Sequence, residues 1–155
     1  MSRKHLQPKG EPELRKIAII CASAAALMAP ASAMAGNVIR QEGQIVHDDA
    51  TLVKLRVEMK AGSPKKVSGF KAKNVHVNCD DGRNRITFTA LTPIKVKGDD
   101  TFGVRLSDGE GGYLKIKGQV KDGGRATVGS LRSSEFKSEG QTCQAPKQRF
   151  KTRKA

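Results

Sequence analysis

LVKLRVEM, residues 52–59, alternates without a break from its second residue. Val53, Leu55, Val57 and Met59 fall on one side of an extended chain, and Lys54, Arg56 and Glu58 on the other. Such a stretch is a strand with one face in a core. NVHVNC, residues 74–79, repeats the pattern: Val75, Val77 and Cys79 share a face opposite Asn74, His76 and Asn78, which aims the cysteine sulfur inward. Residues 85–90 place Ile86, Phe88 and Ala90 inward, residues 102–106 do the same with Phe102, Val104 and Leu106, and residues 114–120 with Leu114, Ile116 and Val120. Further strands read at 94–97 and 125–131, with a first near 38–46 and a last near 148–151. Between them stand Asp80-Asp81-Gly82, Gly98-Asp99-Asp100, Asp108-Gly109-Glu110-Gly111-Gly112 and Asp122-Gly123-Gly124. Glycine supplies positive φ there and aspartate bonds its own turn, so these are hairpin loops. Helical periodicity is absent from residue 36 onward. The fold class that follows is all-β: a small antiparallel β-sandwich, Ig-like or jelly-roll-like, of about eight strands, with a small β-barrel as the alternative. The basic C-terminal tail, Lys147 to Ala155, reads as a final edge strand that then frays.

Residues 1–35 are of another kind. Arg3, Lys4, Lys9, Arg15 and Lys16 precede an uncharged apolar run over 17–30, and the small residues Ala31, Ser32, Ala33 and Ala35 follow, with Met34 among them. Basic, apolar and small segments in that order are a signal-peptide helix. The run is shorter than the roughly 20 residues a stable span needs, so cleavage rather than anchoring is expected. The cut falls before Gly36, or before Met34 in the overlapping frame. An uncleaved anchoring helix is the competing reading, whereas Ile19 and Ile20 ahead of Cys21 argue against a lipidated cysteine. The domains expected are therefore a signal peptide at 1–35 and one β domain at 36–155, secreted or held in the cell envelope, with membrane contact only through the leader.

Removing the leader leaves Cys79 and Cys143, and an even pair outside the cytoplasm is expected to form a disulfide, two separate buried thiols being the alternative. The remaining chain keeps a net charge of about +11, which attracts polyanions by counterion release and field focusing. Nucleic acid, acidic cell-wall polymer and anionic lipid all satisfy that charge. Solubility and protection of sheet edges are the competing use of so many cations.

No catalytic or cofactor signature accompanies this frame. Residues 36–155 hold two histidines, His47 and His76, and no Gly-x-Ser-x-Gly elbow or cysteine–histidine arrangement. His76 reads as an exposed polar residue. His47 beside Asp48 and Asp49 offers three contiguous ligands, which seldom converge on one ion, and Asp80-Asp81 and Asp99-Asp100 lack the spacing of a calcium loop. No metal and no cofactor is expected. Phe70, Phe88 and Phe102 are assigned to the core, which leaves Tyr113, Phe136 and Phe150 as the candidates for exposed rings. So few exposed aromatic platforms argue against carbohydrate stacking and against nucleic acid, whose single strands stack bases on rings.

Lys66-Val67 with Phe70, then Val75, Val77, Cys79 and Gly82, lead later to Gly118, Ala126, Gly129, Leu131 and Arg132. The pattern closes on Gly140, Cys143, Lys151 and Arg153. In that order they resemble uncharacterised secreted β-sandwich proteins of high-GC Gram-positive bacteria, from about residue 48 to the C-terminus. Phe150 stands where that group usually has tryptophan. The resemblance implies the fold, the disulfide and a strand entered at Lys66-Val67 and ending at Cys79, and carries over no catalytic residue. The leading expectation is a non-enzymatic envelope module holding an anionic envelope polymer through Lys54, Arg56, Lys115, Lys117, Lys151, Arg153 and Lys154. A scaffold domain without a specific ligand is the second reading, and a small secreted hydrolase or inhibitor working through a loop such as 108–112 is the third.

Overall fold

The computed structural model describes residues 36–155, so the leader and its cleavage site lie outside the described residues. Eleven strands form one antiparallel sheet: β1 (Val38–Ile45), β2 (Asp48–Lys60), β3 (Ser63–Cys79), β4 (Gly82–Thr89), β5 (Ile94–Lys95), β6 (Thr101–Ser107), β7 (Tyr113–Lys121), β8 (Ala126–Ser133), β9 (Glu135–Ser138), β10 (Gln141–Gln144) and β11 (Gln148–Lys154). The main path runs β6-β7-β8-β11-β1-β2-β3-β10-β9. It also closes on itself. β5 pairs with β3 at Lys66 and Val67, and Val96 bridges to Phe102 of β6, so the circuit β1-β2-β3-β5-β6-β7-β8-β11 returns to β1. Of the two all-β closures read from the sequence, this is the barrel-like one. An eight-strand ring has an interior that side chains alone can fill.

The inward residues of 52–59 are those the alternation names: Val53, Leu55, Val57 and Met59 are all buried. They join Val67, Phe70, Val75, Phe102, Ile116, Leu131 and Phe150 in one core. β7 and β8 each place a glycine on that inner face, Gly118 opposite Gly129. A Cβ on Gly118 would come within 2.8 Å of the Phe102 ring, and one on Gly129 within 2.8 Å of the Phe150 ring. The missing side chains are the space those two rings occupy.

β3 is the longest strand and serves two sets of partners. Gly69 (φ 58) and Asn74 (φ 57) sit at register shifts against β2 and β4, and such bulges bend a strand and increase its twist. Its first half closes the barrel, and its second half carries β4 on one edge and β10, then β9, on the other. This wing has a small core of its own, with Val77, Cys143 and Ala145 packed against Ile86, Phe88 and Phe136. Cys79 and Cys143 stand directly opposite each other in the β3–β10 ladder at disulfide-bonding distance. Closing their separation of 64 residues is worth about 4 kcal/mol in the chain-entropy model.

Several expectations need correction. The last strand is neither an edge nor frayed: β11 lies between β8 and β1 and is paired as far as Lys154. Phe150 is accordingly not an exposed ring; it is 1 % exposed and packs against Phe70, with ring centroids 5.5 Å apart. Phe136 is half-buried against Phe88. β9 and β10 were not among the expected strands, and the alternation at 74–79 shows only the second half of β3, whose strand entry near Lys66-Val67 came from the resemblance alone. The Asp122–Gly124 segment is the hairpin loop expected between β7 and β8, shaped as a short 3-10 turn.

A polar knot sits inside the barrel. Gln41 is 1 % exposed, its Nε2 donates to the Gly124 carbonyl at 2.6 Å, and its Oε1 accepts from the Thr152 hydroxyl at 2.6 Å. Substituting Gln41→Leu leaves the Gly124 carbonyl without its donor and the Thr152 hydroxyl with only its 3.5 Å approach to the Thr127 carbonyl, and is expected to cost about 2 kcal/mol. Urea unfolding would show this as a lowered midpoint at unchanged slope. A midpoint at the parent value would mean the knot contributes nothing.

Candidate functional site

Alternation in a closed sheet fixes what faces outward. β6, β7, β8 and β11 are consecutive neighbours, and none of the four contains an aspartate or glutamate. Register sets Arg105 opposite Lys115 and Lys115 opposite Arg132, with Lys147 just before β11 next along. The next outward row holds Lys117, Ser130 and Arg149, and the one after it Gln119, Val128 and Lys151. Neighbouring strands stand about 4.8 Å apart, so the cations of a row are closely spaced.

Two connected hollows lie in this face. The larger, of about 690 Å³, has Lys97, Lys117, Lys147, Arg149 and Lys151 around it and Val46, Gly118, Val128 and Gly129 beneath. The smaller, about 220 Å³, lies among Lys115, Lys117, Ser130, Arg132 and Lys147. Neither is lined by a carboxylate. The electrostatic consequence shows at Lys115, whose ammonium is held below the ordinary lysine range by Lys117 first, then by desolvation, Arg132 and Arg105. No carboxylate acts on Lys115; Asp99 stands at the margin of the face, where it accepts from Thr101 and has Lys97 beside it. Among the described residues the ion pairs lie elsewhere, Lys54 with Glu42 at 2.6 Å and Arg85 with Asp48 at 3.4 Å. Tyr113 borders the face, half-buried, with the Arg105 guanidinium 3.8 Å from its ring centroid.

The seven cations singled out in the sequence do not gather in one place. Lys115, Lys117 and Lys151 belong to the carboxylate-free face. Arg153 is in register with Glu42, and Glu42 with Lys54, so these two flank a carboxylate. Arg56 lies farther along β2, its side chain beside Gly69. Lys154 continues the phase of Phe150 and Thr152 and so leaves the outer face altogether. Sequence reasoning missed Lys97, Arg105, Arg132, Lys147 and Arg149. The signal for Arg105, Arg132, Lys147 and Arg149 was present, since 101–107, 126–133 and 140–155 are stretches without an acid.

A second polar group lies across β2, β3 and β4. Arg85 donates from Nη1 to the Asn74 carbonyl at 2.8 Å and from Nη2 to His76 Nε2 at 2.7 Å, while Asp48 Oδ2 is 3.6 Å from the same ring nitrogen. A guanidinium can only donate, so Nε2 accepts and the ring proton sits on Nδ1. The carboxylate then pairs with Arg85 rather than with the imidazole. His76 keeps the outward phase expected of it, with its side chain 44 % exposed, and is held in a strand-bridging cluster. One imidazole, one carboxylate and one guanidinium meet here, and among the described residues no hydroxyl or thiol bonds to the ring. His47 heads elsewhere, into the tight β1–β2 turn at φ 68. Among the described residues no three His, Cys, Asp or Glu side chains gather as a metal site, and no helix is long and apolar enough to cross a membrane.

Compared with known proteins, the chain matches no protein-family model, no curated protein and no solved structure.

Proposed function

We propose that this is an exported, non-enzymatic β domain that holds an anionic envelope polymer on the outer face of β6, β7, β8 and β11. One observation carries the reading: cations from four adjacent strands converge on one face with no carboxylate among them. A surface built for solubility mixes both signs, which is what β1 and β2 do with Arg40, Glu42, Lys54, Arg56 and Glu58. Crowding that lowers the Lys115 ammonium costs the fold and is relieved when an anion arrives. The leader-like residues 1–35, the cysteine pair and the resemblance to secreted β proteins support the compartment, with cleavage before Gly36.

The test is co-sedimentation of the protein with purified cell envelope across a salt series. About five engaged cations give a slope near −4 in log affinity against log salt, so retention should fall by two to three orders of magnitude between 50 and 200 mM. Retention that ignores salt, or none at low salt, would contradict the proposal and leave the cations a solubility role on a scaffold domain.

A further inference from the structure

The barrel wall has an opening next to this face. Among the described residues β4 has no partner on the edge away from β3, and β6 beyond Phe102 has none on the edge away from β7. Between these free edges lies a cleft of about 250 Å³ whose apolar surface comes from Phe88, Leu106, Leu114 and Phe136. Leu106, Phe88 and Phe136 are only half-buried, so this apolar surface is reachable from outside. An apolar protein cavity of about 150 Å³ already takes up benzene, and 250 Å³ is room for a chain of about eight methylenes by the same measure. Asp108 also touches the cleft, but its Oδ1 accepts from the Glu110 and Gly112 amides of its own loop, at 2.8 Å each.

The cleft and the basic row share strand ends. Arg105 adjoins Leu106, Lys115 adjoins Leu114, and Arg132 adjoins Ser133, with the charged member of each pair outside and its neighbour lining the cleft. Tyr113 lines the cleft while its ring carries the Arg105 guanidinium, so one side chain touches both regions. A ligand with an anionic head on Arg105, Lys115 and Arg132 therefore has an apolar slot one residue away, over a rim of Ser107 and Tyr113. We propose that this cleft receives the alkyl chain of an anionic amphiphile, its phosphate head held by the adjacent row. The polymer retained would then be gripped at a lipid-linked end. The inference rests on the polyanion reading for the head group and adds the chain.

Titrating the protein with methyl, butyl and octyl phosphate, each below its micellar concentration, separates the two. Burial of the chain predicts affinity rising by up to about fourfold per methylene, so that octyl phosphate binds at least 30-fold tighter than methyl phosphate. Leu106→Trp, whose half-buried side chain lines the cleft, should fill it and abolish the chain-length dependence while leaving the salt-sensitive binding of a polyphosphate without an alkyl chain intact. Equal affinity for the three phosphates overturns the inference and leaves the polyanion reading standing. Chain-length dependence that survives Leu106→Trp unchanged also overturns it, because the chain then adsorbs elsewhere. Failure of octyl phosphate and polymer alike removes both.

Discussion

Phe150→Ala is expected to destabilise the protein by about 4 kcal/mol, the range of a phenylalanine deleted from a packed core. The ring is 1 % exposed, touches Phe70 and lies over Gly129, whose absent side chain makes its seat. Neither neighbour can follow it into the void, since Phe70 is fixed on bulged β3 and Gly129 has no side chain to move. Filling the seat from the other side is predicted to be as damaging. Gly129→Val puts its Cβ against both the ring and the Lys117 carbonyl on the adjacent strand, so backbone must shift. Chemical denaturation reads both effects. A loss below about 1 kcal/mol for Phe150→Ala would mean that β11 lies at an edge with its ring in solvent, as the tail's sequence alone suggests, and not between β8 and β1.

That contrast shows what the sequence could carry. Strands with one buried face were legible because alternation has a single reading: Val53 to Met59 and Leu114 to Val120 bury the residues their period assigns. β9 and β10 were not, because EFKS and QTCQ offer little apolar alternation, and the turn that joins them uses Glu139-Gly140 at φ 49 and 80 rather than a recognised pair. The alternation of β3 before residue 74 was hidden in the same way, by Ala61-Gly62 (φ 51 and 77) at its start and by the bulge at Gly69, and only the resemblance placed a strand entry at Lys66-Val67. The last strand was misplaced for a different reason. Nothing local says that 148–154 will insert between the eighth strand and the first, and that long-range pairing decides both the burial of Phe150 and the gathering of Arg149 and Lys151 with Lys115 and Lys117. Charge was legible as an amount, therefore, and its location was a property of strand order.

The other large effect expected concerns that location. Changing Lys115, Lys117 and Lys151 together to glutamine should weaken polymer binding about 100-fold, at roughly 1 kcal/mol for each cation near an anionic surface. The fold should not suffer. Lys115 is held below its ordinary range chiefly by Lys117, so the folded state disfavours its proton relative to the unfolded chain. That stability deficit is present below the folded-state value and disappears as pH rises through the ordinary lysine range near 10.5. Removing the crowding cations should leave the melting temperature unchanged or slightly raised. Loss of binding with gain of stability is the mark of charges kept for a ligand.

The most direct measurement compares that variant with Lys54→Gln, Arg56→Gln and Lys66→Gln combined, which has the same net charge but alters β2 and β3. Each is titrated with one defined polyphosphate chain at several salt concentrations, and the slope of log affinity against log salt is recorded. The face reading predicts a slope shallower by about two for the Lys115, Lys117 and Lys151 variant, and a parent slope for the other. Equal losses in both would contradict it and make binding a matter of net charge alone.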